Sequence, residues 1–138
     1  MNFFNALFSL QGRLNRKGFW QGVGINFVFL FVFANFFVNM NAFSWLSVIP
    51  LSLSVYSLAA VVIKRLHDRN RSAKALFMVL VPILCYWVSQ GTEGAMAWLL
   101  GLMMPMFIGS MLLMEWGVFA GNPEPNQYGQ KGLAIRFK

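Results

Sequence analysis

Charge is scarce in this chain. Only 11% of its 138 residues are Asp, Glu, Lys or Arg, against about 25% in a soluble domain. Acids are scarcer still, limited to Asp68, Glu93, Glu115 and Glu124. There is one cysteine, Cys85, and one histidine, His67. A single cysteine excludes an intrachain disulfide and a cysteine-rich zinc site. Cys85 lies in an apolar run and reads as a small packing residue. A lone histidine leaves a metal short of ligands, so no metal or other cofactor is expected. MNFFNALFSL, at the start, has no basic n-region and no small-residue cleavage site follows it, so a cleavable signal peptide is not expected.

What is abundant is apolar. Hydrophobic residues make up 58% of the chain, with 15 Phe, 9 Met and 5 Trp. A soluble domain of this size keeps too much of its area in water to hide them. Part of the solvent must be lipid. The length suits a single domain, 1–138. The net charge of +7 raises the question of nucleic acid. Such a binder needs a continuous basic face, whereas these basic residues fall in three short blocks between apolar runs. No nucleic-acid partner is expected.

The expected fold is an all-α integral membrane protein with four transmembrane helices and a short N-terminal interfacial helix. Phe3, Phe4, Leu7 and Phe8 form one helical stripe; the segment is too short to cross and reads as lying in the interface or as a docking peptide. The spans are expected at about 19–40, 45–63, 75–89 and 95–119, with a tail at 120–138. Asn26 and Asn35 in the first should turn toward other helices. Ser47, Ser52, Ser54 and Ser57 suit close packing. The third span, about 15 residues, is short of the usual length of roughly 17–25, so it is expected to begin in the basic block, with Ser72 as N-cap and Lys74 snorkelling.

The charges order the spans. Arg13, Arg16 and Lys17 precede the first; Lys64, Arg65, Arg69, Arg71 and Lys74 lie between the second and third; Lys131, Arg136 and Lys138 follow the fourth. The loops after the first and third hold no basic residue. With four spans all basic segments share one side, which the positive-inside rule makes cytoplasmic, along with both termini.

Three short motifs punctuate this order: GRLNRKGFW at 12–20, RLHDRNRS at 65–72 and GNPEPNQYG at 121–129. Together they resemble domain of unknown function 805, a family of small bacterial inner-membrane proteins, over nearly the whole chain. The family's Gly-Trp after the second motif is Ala73-Lys74 here, a frequent Gly is Asn70, and Glu124 replaces a common Gly. The resemblance implies a bacterial inner-membrane location and no activity.

The cluster IKRLHDRN at 63–70 admits three readings. Asp68 lies one helical turn after Arg65 and Lys64, so an internal ion pair is expected. Glu115, near the end of the fourth span, is expected to pair with Arg13, Arg16, Arg65 or Arg69, since an unpaired acid there is costly. The second reading is a patch for anionic lipid or a partner, formed by Arg13, Arg16, Lys17, Lys64, Arg65, Arg69, Arg71 and Lys74. The third, chemistry at His67-Asp68, lacks partner residues, and no catalytic residue is assigned. The tail 126–129 either folds back over this loop or hangs loose. The expected role is structural or accessory, with membrane lipids and a homo-oligomer or membrane-protein partner as candidate contacts. The rival is a small oligomeric transporter or channel, disfavoured by spans almost free of ionisable residues.

Overall fold

The computed structural model describes residues 1–39 and 45–137. The predicted link beyond residue 39, the end of the first span at Met40, and Lys138 lie outside the described residues.

Helices account for nearly all regular structure among the described residues, with no β-strand. The short α1 spans Phe3–Phe8. α2 runs Arg16–Asn39; Asn15 starts it as an N-cap, its side-chain oxygen accepting the Gly18 N–H at 2.8 Å. α3 runs Val48–Asp68 behind a 3₁₀ turn at Trp45–Ser47, and Pro50 sits in its first turn, where a missing N–H costs nothing. α3 therefore carries four turns of apolar residues and then the RLHD motif itself. It stops at Asn70, whose φ of 56° is left-handed. The Arg71 N–H reaches Leu66 O at 2.9 Å and the Asn70 N–H reaches His67 O at 3.1 Å. That pair of bonds is a Schellman cap, and it explains why Asn can replace Gly there.

Next comes a 3₁₀ helix, Ala73–Val79, continuing as α4, Leu80–Ser89. Ser72 occupies the N-cap position, but its side chain makes no cap bond, so the predicted side-chain cap is corrected. The last helix is continuous over Gly94–Val118. It comprises α5 (Gly94–Trp98), a π turn (Leu99–Met103), α6 (Met104–Leu113) and a second π turn (Met114–Val118). The first π turn ends two residues before Pro105, which cannot donate to the turn before it.

Three helices are long and apolar enough to cross a membrane: Arg16–Val38, Val48–Asp68 and Gly94–Val118. Ala73–Ser89 is apolar but shorter. Large apolar side chains such as Phe27, Phe31, Phe77, Leu84 and Phe107 are exposed. A water-soluble monomer does not present such a surface, and these apolar helices fit a membrane protein.

The buried core lies at one end. Leu7, Phe19, Val61, Leu66, Leu112 and Trp116 pack together, and Ala6, Leu14 and Ile135 form a smaller cluster beside them. α2 and α3 approach closely at Gly22, where a Cβ would meet the Val61 methyls at 2.7 Å. Beyond this contact, buried Asn26 joins the helices. Its amide donates to Ser57 Oγ at 3.0 Å and to Gly22 O at 2.9 Å, and its oxygen accepts from Ser54 Oγ at 3.1 Å. Asn35 is different: it is exposed, and its amide donates to Phe31 O on its own helix. The expectation that it reaches another helix is corrected. Ser52 likewise faces outward and bonds Val48 O.

Candidate functional site

The three sequence motifs meet at Asp68. Arg65, one turn earlier on α3, donates through Nη1 to Asp68 Oδ2 at 2.6 Å. Arg13, from the first motif, takes the other oxygen, with Nη2 at 3.1 Å. Both arginines and Asp68 are buried, at 2%, 0% and 4% exposure for Arg13, Arg65 and Asp68. Two guanidiniums facing one carboxylate leave one positive charge, and backbone oxygens absorb it. Arg13 also donates to Glu124 O at 2.8 Å, to Gly129 O at 3.0 Å and to Asn122 O. The tail is thus wrapped around an arginine from the N-terminal block.

Helix ends engage Arg16, Lys64, Arg65 and Arg69. The last four carbonyls of a helix have no partner within it and carry partial negative charge. At the end of the last helix, five consecutive carbonyls each receive a side-chain donor. Arg69 donates to Glu115 O, Arg65 Nε to Trp116 O, Trp20 Nε1 to Gly117 O, Arg16 to Val118 O, and Arg65 Nη2 to Phe119 O. Lys64 does the same for α1, donating to the carbonyls of Asn5, Ala6 and Ser9, with Nζ 2.7 Å from the first and third. Tyr56 Oη adds a bond to Phe8 O at 3.1 Å.

The tail folds back over α3. Asn126 Nδ2 donates to His67 O at 2.9 Å. The Asn122 N–H reaches Asp68 O at 2.8 Å. The Tyr128 ring stacks on His67, centroids 3.8 Å apart and planes 3° from parallel. Leu133 pairs with the first motif through its N–H to Arg13 O and its carbonyl from the Asn15 N–H, both 3.1 Å. Two tail glycines are sterically required. A Cβ on Gly121 or Gly132 would collide with the Asp68 carboxylate, one from each side.

Of the eight proposed patch residues, Arg13, Lys64 and Arg65 are buried and spent on carbonyls and Asp68. Their inclusion in an outward-facing patch is corrected: orphan helix carbonyls and a buried carboxylate hold them inside. Arg69 and Arg71 flank Glu115 Oε1, at 3.3 and 2.6 Å. Of the arginines proposed for Glu115, Arg69 is thus in reach; Arg71, which was not proposed, is nearer. Arg16, Lys17 and Lys74 are exposed. Asp68 pairs with Arg65 and not with Lys64. His67 points its Nδ1 at Gly12 O, 3.3 Å away, and its side chain does not engage Asp68. Among the described residues no group of three His, Cys, Asp or Glu could hold a metal ion.

Sequence reasoning missed the capped carbonyls, because backbone atoms leave no residue signature. It also passed over Trp20 as a site residue. The basic run followed by Gly-Phe-Trp was a signal for it.

The fold and site define a class: an α-helical protein with apolar helices of membrane-crossing length, closed at one end by a basic, tail-covered platform. The chain belongs to the family described as "Protein of unknown function (DUF805)", whose profile matches residues 7–130. It is 30% identical over 135 residues to "Uncharacterized protein YiiR" of Escherichia coli (strain K12), covering 96% of this chain and 91% of that one. The protein of the same description from Escherichia coli O157:H7 matches with the same identity and coverage. No solved structure matches.

Proposed function

We propose that this is a single-domain, four-pass protein of the bacterial inner membrane, with both termini and the RLHD motif cytoplasmic. Its role is structural or accessory, without a catalytic step, and its basic face holds anionic lipid. One observation carries the reading. The basic segments around residues 13–17, 64–74 and 131–136 gather at one end of the helices, tied together through Asp68 and the last helix. An even number of passes follows if each apolar helix crosses. The short one has a way to do so. Seven 3₁₀ residues and ten α residues extend about 29 Å, close to the roughly 30 Å of hydrocarbon. Far from the basic end, Ser89 lies against Gly101 of the last helix, as expected if α4 and that helix run side by side in opposite directions. α1, fastened by Lys64, would lie along the cytoplasmic interface.

A reporter active only in the cytoplasm, fused after residue 138, should be active; silence would overturn the orientation. Mass spectrometry of the purified protein should find anionic lipid enriched over its membrane abundance. Ion flux in liposomes would replace this reading with the transporter.

A further inference from the structure

An open recess of about 650 Å³, with charged side chains in its lining, lies at the basic end between the start of α2 and the tail. Its back wall holds Arg65 and Asp68, and its rim holds Arg16 and Lys131. The volume lies in the ordinary range for small-ligand sites. Its charge is unusual. Asp68 is already matched by Arg65 and Arg13, so it does not repel an anion. Arg16 spends one N–H on Val118 O at 3.3 Å and leaves the rest of its guanidinium free. Lys131 is exposed and has no ion pair among the described residues. Asn15 also lines the recess and begins α2, a helix of 24 residues whose positive end adds to the field.

We infer that this recess is a phosphate-binding site, in which Arg16 and Lys131 clamp a phosphomonoester or phosphodiester against the first turn of α2. The inference rests on the basic-face reading and narrows it to two residues, one of them outside the patch read from sequence. Arg supplies a planar fork and Lys a point charge, a pairing suited to a tetrahedral anion. The tail walls the recess because Gly121 and Gly132 let it press against Asp68. The same chemistry is offered by a lipid headgroup and by free phosphate.

The test uses the full chain in detergent, with phosphatidylglycerol in mixed micelles and inorganic phosphate as separate probes. Arg16→Ala and Lys131→Ala should each weaken binding about fivefold. Lys17→Ala and Lys74→Ala, which remove exposed cations outside the recess, should change it less than twofold. Arg16→Lys with Lys131→Arg should retain most of the binding, and melting temperatures should stay unchanged in the Lys131, Lys17 and Lys74 variants, which remove no helix cap. Phosphatidylglycerol bound in preference to inorganic phosphate identifies a lipid headgroup; the reverse identifies a soluble phosphate ligand, and the recess stands in both cases. Equal losses from all four alanine variants would overturn the recess while leaving a diffuse lipid-binding face. Failure of the wild-type protein to bind either probe would overturn the recess, and the co-purified lipids report separately on the wider reading.

Discussion

Arg13 and Asp68 meet at 3.1 Å across fifty-five positions of sequence, buried to near-zero exposure. This contact joins the N-terminal block to the end of α3, and the same guanidinium grips the tail. Removing the carboxylate would strand two buried cations. Asp68→Asn should destabilise the protein by about 3–5 kcal/mol, the usual cost of breaking a buried pair. Thermal unfolding in detergent checks this; an unchanged midpoint would show the triad to be dispensable.

Glu115 should be far more forgiving. Its ion pairs with Arg69 and Arg71 are partly exposed, with its side chain at 21%. Glu115→Gln should therefore cost no more than about 1 kcal/mol. A loss matching that of Asp68→Asn would contradict the ranking.

The tail glycines offer a steric test. Gly121→Ala and Gly132→Ala place a methyl group into the Asp68 carboxylate. Both should lift the tail and speed tryptic cleavage at Lys131 and Arg136. Gly109→Ala, where a Cβ would meet nothing within 4 Å, should leave cleavage unchanged and favour the helix by about 0.5–1 kcal/mol.

Two asparagines in α2 should behave oppositely. Asn26→Leu removes two interhelical hydrogen bonds and should cost about 0.6–1.7 kcal/mol. Asn35→Leu removes only a bond within its own helix and should be neutral. Equal effects on unfolding in detergent would refute the distinction.

The His67–Tyr128 stack predicts a third contrast. Tyr128→Phe keeps the ring and should leave tail protection intact. Tyr128→Ala should loosen the tail by about 0.5–1.5 kcal/mol, seen as faster hydrogen exchange across residues 121–130.

Apolar runs made the long helices legible, because hydrophobic length is a local property. The Arg65–Asp68 neighbourhood was legible for the same reason, since three positions on a helix are one turn. Arg13 was not, because nothing local links it to Asp68. The outward assignment of Lys64 failed on a similar ground: its partners are main-chain oxygens of α1, which every residue possesses and no motif displays. Asn35 failed because a polar side chain in an apolar helix can bond its own preceding turn. The 3₁₀ stretch at Ala73–Val79 was illegible too, and a count at the α-helical rise understates that helix's reach.

Arg65 caps carbonyls that lie 51 and 54 positions further along the chain. A chain made from its N-terminus completes this arginine well before its acceptors exist. Through that interval only Asp68 and the N-terminal block are there to cover it. The guanidinium therefore changes employment as synthesis proceeds, from an open charge beside a half-built bundle to the fastener that closes the last helix onto the rest.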